Sequence, residues 1–320
     1  FPLTLITGRL RDQWHGMSRT GTAAQLFGHV SEAVLSLHPD ELRRHRLQPG
    51  DLVNLKSRRG TVIVAVRSDD SVRPGQAFLP MHWGDRFLKG GVNSVTLPAF
   101  DPLSKQPELK HSGVRLESVN LPWQLFALIE GDVQRHFETL RPLCEAFSYV
   151  SLSLVGRERP ALLIRAASVA APDPQLLGEI DECLSLIDGP VLAYDDPRRA
   201  IGKRVRIENG RITAIRLAGE TLAQHWLQGL WLEGRADEQL RRWLLAPMSA
   251  PPGNAGAQVS RDKTLCNCNN VSLNAVCAGI GQGLDLQGLK NQLGCGTQCG
   301  SCVPEIKRLL AANVQPVAVI

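Results

Sequence analysis

Cys266-Asn267-Cys268 and Cys299-Gly300-Ser301-Cys302 are two tight thiol pairs separated by about thirty residues. One loop can aim two sulfurs at one centre, so four thiols in this pattern read as a ligand set. Gly294, Gly296 and Gly300 surround the second pair, where glycine lets backbone N–H groups approach the sulfurs. Between the pairs, Val271–Leu293 has helical spacing through Val271, Val276, Ile280, Leu284, Leu286, Leu289 and Leu293. Pro304 suits a first helical turn, and Glu305–Ala312 continues as a helix. Short helices packed around a metal centre are therefore expected from residue 262 to the end.

Three chemistries compete for these thiols. A disulfide scaffold fits poorly, because the chain has 320 residues and eight cysteines, with Cys144 and Cys183 isolated upstream. Zinc suits four thiolates, but its sites more often use C-x2-C twice, and the C-x-C pair here favours a 2Fe–2S cluster on Cys266, Cys268, Cys299 and Cys302. Cys277 reads as a small core residue, and Cys295 is the alternative ligand.

Length allows two or three domains and a sizeable core. The net charge is only +5 with acids and bases interspersed, which argues against a dedicated nucleic-acid binder and leaves room for a phosphate-bearing cofactor. No apolar run reaches transmembrane length. The chain starts at Phe1 inside what reads as a strand, so it is taken as part of a longer protein, and a missing leader carries no weight. Free thiols in cluster spacing favour a reducing compartment, and a cytoplasmic location is expected.

From residue 1 to 123, short apolar segments alternate with Pro-Gly turns. Leu3–Thr7, Ala33–Leu37, Leu52–Ser57, Thr61–Arg67 and Ala77–Pro80 read as strands, with Asp40–His45 a short helix behind Pro39. That pattern suggests a closed barrel rather than a βαβ sheet. The loop Thr7–Gly21 is rich in donors, among them Arg9, Trp14, His15 and Ser18; it reads as a ligand loop or as a polar surface loop. Taken singly, His82 reads as a satisfied structural histidine, and Lys105 and Lys110 as solvated charges.

In order along the chain stand T-G-R-x4-W-H, Q-P-G-D-L-V, P-M-H-W-G, N-S-V-T and D-P-L-S-K-Q-P-E-L-K. Together they resemble the C-terminal cofactor-binding domain of the molybdopterin oxidoreductases related to dimethyl sulfoxide reductase, most of all the assimilatory nitrate reductases. The segments L-C-N-C-N-N-V-S and G-C-G-T-Q-C-G-S-C-V-P-E resemble the bacterioferritin-associated-ferredoxin-like 2Fe–2S domain. The first resemblance implies a double-psi β-barrel that grips molybdenum bis(molybdopterin guanine dinucleotide). Thr7, Gly8 and Arg9 would meet the pterin–pyrophosphate region, Trp14, His15 and Ser18 the pterin side, and His82, Trp83, Asn93 and Lys110 the rest of the shell. Gly16, Val95 and Ser112-Gly113 depart from the family pattern, and Gly16 removes a hydroxyl contact.

The resemblance further implies reduction of nitrate to nitrite. Electrons would come from a reductase subunit or a ferredoxin, with no nucleic-acid or membrane partner. A 4Fe–4S cluster has room upstream of this chain. The molybdenum ligand also belongs upstream, so these residues alone are expected to be inactive. A formate dehydrogenase, or a zinc-stabilised or electron-carrying binding module, are the alternatives.

The expected organisation is multidomain α+β: barrel 1–123, spacer 124–247, linker 248–261 and cluster domain 262–320. In the middle stretch Trp123–Ile129 is simply apolar. Asp132–Leu143, Gln175–Leu186, Thr221–Glu233 and Asp237–Leu245 read as helices, and Phe147–Val155, Ala161–Arg165 and Val191–Tyr194 as strands. Lys203–Ile207 and Ile212–Leu217 form a hairpin across Asn209-Gly210, and Tyr194–Arg199 reads as a surface turn.

Overall fold

A computed structural model of the chain describes residues 1–11, 13, 30–108, 111–156, 158–234, 238–251 and 263–313. It divides into two compact units, Phe1–Pro251 and Pro252–Ile320.

The first unit begins with a closed barrel. Its strands are β1 (Leu3–Gly8), β2 (Val34–Leu37), β3 (Leu52–Lys56), β4 (Thr61–Ser68), β5 (Gln76–Pro80) and, after the small hairpin β6 (Ala99–Phe100) and β7 (Pro107–Glu108), β8 (Ser112–Ser118). The order round the barrel is β1-β5-β2-β4-β3-β8. β1 and β5 run parallel, as do β2 and β4; the other neighbours are antiparallel. Alternate residues Leu3 and Leu5, Val53 and Leu55, and Val62 and Val64 are buried, the period-2 pattern of strands with one face on the core. α1 (Pro39–His45) starts where His38 Nδ1 accepts the Asp40 N–H at 3.1 Å, and it ends at Arg46 in the left-handed region.

The barrel is followed by a six-stranded antiparallel sheet of order β10-β11-β9-β14-β13-β12. Its strands are β9 (Trp123–Glu130), β10 (Tyr149–Val155), β11 (Ala161–Ser168), β12 (Val191–Asp196), β13 (Ile201–Glu208) and β14 (Arg211–Ala218). β9 lies near the middle and is buried on both faces. Leu125, Ala127 and Ile129 join one cluster, which also contains α2 (Val133–Leu143) and α3 (Pro174–Cys183), while Phe126 and Leu128 join the other, beneath α4 (Gln224–Glu233). A strand covered on both sides reads as an unbroken apolar run, which is why its sequence carries no alternation. Asn209 and Gly210 both have positive φ, 50° and 71°, and close the β13–β14 hairpin, as this turn type requires.

The first cluster also contains the barrel residues Leu3, Leu35, Val64 and Leu79. Core is therefore continuous across residue 123, where a spacer was expected to begin. Backbone bonds add to it: the Lys89 N–H donates to Val150 O at 3.0 Å and the Leu152 N–H to Phe87 O at 2.7 Å.

Several expected elements differ in extent. The strand expected from Phe147 starts at Tyr149, after a single 3-10 turn at Cys144–Ala146. The helix expected to reach Leu186 stops at Cys183, with Ser185 at φ 55°. The segment expected to be helical from Thr221 is a turn up to Ala223. Of the helix expected over Asp237–Leu245, only α5 (Glu238–Arg241) forms; Trp243 to Ala246 make turn-type bonds, ending before Pro247, which disfavours helix in the preceding residue.

The second unit is small. β15 (Thr264–Cys266) pairs with β16 (Val271–Ser272), followed by α6 (Leu273–Gly281), α7 (Leu286–Leu293) and α8 (Val303–Asn313). The continuous helical spacing read over Val271–Leu293 is two helices. Gly283 at φ 85° breaks the run, and Asp285 accepts the Gly288 N–H at 2.7 Å to cap the second. Gly279 is needed where α6 meets α7, since a Cβ there would lie 2.7 Å from Leu289 Cδ2. Among the described residues no helix is long and apolar enough to cross a membrane.

Candidate functional site: a barrel end and a paired thiol centre

Parallel pairing of β1 and β5 sets Gly8 beside Pro80, so both strands run out at the same end of the barrel. The Met81 N–H donates to Gly8 O at 3.0 Å, and the Leu10 N–H donates to His82 Nε2 at 3.0 Å. His82 is buried; with Nε2 accepting, its ring is the neutral tautomer protonated on Nδ1. The next residue, Trp83, accepts the Val92 N–H through its carbonyl at 3.0 Å, and this holds the 3-10 turn Val92–Val95 that carries Asn93. Thr7, Gly8, Arg9, His82, Trp83 and Asn93 are thereby brought into one linked region. Arg9 and Asn93 are exposed, Thr7 is buried, and the Trp83 side chain lies wholly in the core. A Cβ at Gly8 would come 2.8 Å from Phe78 Cε2, so the Phe78 ring packs closely over this strand end. Trp14, His15, Ser18 and Lys110 lie outside the described residues, as does Gly16.

Asn93 borders an open groove of about 550 Å³, with Thr96, Leu97, Pro98 and Phe100 along its wall and Arg59 and Lys105 supplying positive charge. Arg59 Nη1 donates to Thr96 O at 3.4 Å, and Lys105 Nζ sits 5.5 Å above the Phe100 ring. Two cations and an amide along an open apolar wall suit an anionic ligand with a planar part. Sequence reading gave Arg59 no role and left Lys105 a solvated charge. A signal existed in Gly60: a Cβ there would lie 2.8 Å from Ser94 O, so this turn is pressed against the Asn93 segment.

The thiols form the second centre. None of the eight cysteines is in a disulfide. Cys268 Sγ and Cys299 Sγ are 3.3 Å apart, and the side chains of Cys266 and Cys302 interact directly. Among the described residues no three His, Cys, Asp or Glu side chains converge on one point; the thiols stand as two pairs, the count a two-iron cluster needs at two thiolates per iron. Gly296 at φ 77° leaves the room, for a Cβ there would lie 2.7 Å from Val303 Cγ2 and 3.9 Å from Cys302 Sγ. Asn269 Nδ2 donates to Gly294 O and, at 3.1 Å, to Thr297 Oγ1, tying the first thiol loop to the second.

Burial and the neighbouring Cys266 push the Cys302 thiol up to about 12, and burial raises Cys268. A metal bound by these thiols would displace protons, and its binding would weaken as pH falls. Cys295, the alternative ligand, is buried with its thiol toward Leu289 O at 3.5 Å. Cys277 is half-buried on α6.

Comparison with known proteins agrees with both centres. Residues 3–113 match the family described as "Molydopterin dinucleotide binding domain", and residues 264–312 match "BFD-like [2Fe-2S] binding domain". A nitrate reductase of Klebsiella oxytoca is 29% identical over 98% of this chain and 34% of its own length, so the chain spans about a third of that relative. The solved acetylene hydratase of Pelobacter acetylenicus aligns at 18% identity over 37% of this chain and 18% of that one, with a TM-score of 0.31, a likeness that carries no argument. The chain thus carries a molybdopterin dinucleotide-binding domain over residues 3–113 and a BFD-like 2Fe–2S domain over residues 264–312.

Proposed function

We propose that this chain is the C-terminal cofactor-holding part of a molybdenum-dependent nitrate reductase, in which the 2Fe–2S centre relays electrons toward molybdenum. The observation that carries the reading is the joining of both cofactor domains in one chain that aligns over 98% of its length with a nitrate reductase.

In this reading the barrel end binds the dinucleotide. Arg9, Arg59 and Lys105, with Lys110 five residues beyond Lys105 in sequence, neutralise the pyrophosphate, while Asn93 and the Thr7–Gly8 backbone meet the heterocycles. Trp14, His15 and Ser18 belong to the pterin side of the same shell. His82 and Trp83 act from behind. The His82 ring fixes the Arg9–Leu10 exit through the Leu10 N–H, and the Trp83 carbonyl fixes the Asn93 turn. Cys266, Cys268, Cys299 and Cys302 hold the cluster. The bound molybdenum supplies oxygen-atom transfer, and this chain's work is to bind, orient and shield. Electrons arrive from a reductase subunit or ferredoxin, in the cytoplasm.

The test uses the full-length enzyme with reduced viologen as donor. Nitrite formed in step with nitrate consumed supports the proposal. Dye reduction driven by formate, with no turnover of nitrate, would assign the protein to another molybdopterin oxidoreductase. A purified chain holding one zinc and no visible absorbance would replace the electron relay by a structural module.

A further inference from the structure

The six-stranded sheet reaches back to the end of the barrel that carries Gly8 and His82. Antiparallel pairing of β2 with β5, Ser36 opposite Phe78 and Leu37 opposite Ala77, starts β2 at the end where β1 and β5 run out. The chain that leaves β1 after Gly8 thus returns to the same end, through Ser31 and Glu32. His82 holds its outgoing side through the Leu10 N–H, and Gln13 Nε2 donates to Val30 O at 3.4 Å, joining the two sides.

The returning side is held by the sheet. The Tyr149 hydroxyl donates to Glu32 Oε1 at 2.5 Å, Arg165 Nε lies 3.5 Å from Glu32 Oε2, and Arg165 Nη1 donates to Ser31 O at 3.5 Å. Tyr149 opens β10, and Ser151, two residues on, pairs with Arg165 of β11, so the Tyr149 and Arg165 side chains share one face of the sheet. Tyr149 is 3% exposed. Burial and the Glu32 carboxylate keep the proton on its oxygen, so the hydroxyl remains a donor. A buried hydroxyl and a mostly buried guanidinium need partners, and both find them on the two residues that lead back into the barrel.

At Glu32 the hold is polar. Glu32, Tyr149 and Arg165 line a cavity of about 170 Å³ with Gln124, Thr221 and Gln224, a space polar and large enough for water. Bonds across that space, more than interlocked apolar side chains, fix the carboxylate.

Resting on the reading that Arg9, Trp14, His15 and Ser18 meet the dinucleotide, we infer that Tyr149 and Arg165 are positioning residues for the cofactor. Acting through Glu32 and the Ser31 carbonyl, they fix the point at which the segment carrying those four residues rejoins the barrel. The sheet, expected from sequence to be a spacer, then helps to hold the dinucleotide without touching it.

The first measurement is amide hydrogen exchange on the cofactor-free full chain. Tyr149→Phe removes one bond to a carboxylate and keeps the ring. Exchange over residues 30–34 should speed up about tenfold, the shift in local opening when one such bond is lost, while β10 and β11 keep their rates. Arg165→Lys, which keeps the charge and loses the reach to Ser31 O, should act at the same residues. In a Glu32→Ala background Tyr149→Phe should add nothing, because it works through that carboxylate. The second measurement is release of the dinucleotide from the full-length enzyme, read as bound molybdenum against time. Release from Tyr149→Phe should quicken by a factor similar to that seen in exchange.

Unchanged exchange at residues 30–34 in both variants would overturn the anchor. Exchange raised equally across β10 and β11, or a full further effect of Tyr149→Phe in the Glu32→Ala background, would make Tyr149 a packing residue. Faster exchange without faster release would overturn its bearing on the cofactor. The reading beneath the proposal is tested apart from the variants: wild-type enzyme whose residues 9–21 exchange equally fast with and without bound dinucleotide would show that this segment does not meet it.

Discussion

The barrel-and-sheet unit and the cysteine unit solve the same problem at different scales. The first has enough apolar side chains to cover a sheet on both faces and fill a barrel, with Trp83, Phe126, Phe147 and Trp231 fully buried. Its exposed Arg9, Arg59, Asn93 and Lys105 sit outside a core that is complete without them. Among the described residues the second has a core of nine buried residues, and three of them are cysteines, Cys266, Cys295 and Cys302. Small domains that cannot bury enough apolar surface lean on a metal. A cofactor should therefore be an accessory to the fold of the first unit and a part of the fold of the second.

The largest effect expected is the loss of the second unit's fold on Cys302→Ser. Thiolate metal sites contribute on the order of 10 kcal/mol to small domains that fold around them. Calorimetry should show the transition of Pro252–Ile320 disappear with the visible absorbance, while that of Phe1–Pro251 is unmoved. A second unit that stays folded without iron would erase the contrast drawn here.

Within the first unit the vulnerable point is not a ligand contact but a buried ion pair. Arg216 donates to both oxygens of Asp181, at 2.8 and 2.5 Å, with both residues almost wholly buried and Arg204 3.1 Å from the same carboxylate. Asp181→Ala leaves a buried guanidinium unpaired and should cost about 3–5 kcal/mol, measured by denaturant unfolding of the full chain. Cluster absorbance should persist.

Smaller again is the effect of the rim. Arg59→Ala, and separately Arg9→Ala, should each weaken dinucleotide retention about tenfold, one charge-assisted contact at about 1.4 kcal/mol. Molybdenum-cofactor content of the full-length enzyme after gel filtration reads it. An Arg59→Ala enzyme that keeps its full complement would remove the groove beside Asn93 from the binding surface.

A separate effect, confined to alkaline pH, is a pH slope. Burial pushes the Cys144 thiol up to about 12 from a usual 9.0. The folded state holds that proton while the unfolded chain releases it, so stability is intact below pH 9 and falls between 9 and 12, by roughly 1.4 kcal/mol per unit for this one group. Cys144→Ala should flatten that part of the curve. The same slope in both proteins would place the loss elsewhere.

The residues announced much of this. Alternation in Val53, Leu55, Val62 and Val64 exposed the β3–β4 hairpin, and Asn209-Gly210 exposed the β13–β14 turn. Pro39 and Pro304 marked helix starts, and the paired cysteines, glycines between them, marked the metal centre. These are local signals, written within a few residues of where they act. Where the sequence misled, a nonlocal partner had decided the outcome. The run Trp123–Ile129 named no element because its two faces are buried by different layers. The spacing over Val271–Leu293 hid the break at Gly283, since both helices press the same kind of face on one core.

Sequence by itself determined most of the element types, the paired-thiol pattern and the likeness to a cofactor-binding family, because each depends on residue identity at short spacing. Tertiary structure alone decided that core runs unbroken from the barrel into the sheet. It also decided that Arg59 and Lys105 line one groove, and that each thiol motif has one buried cysteine and one more exposed. Those facts depend on which distant strands and turns meet, and burial, unlike a motif, is a property of the meeting.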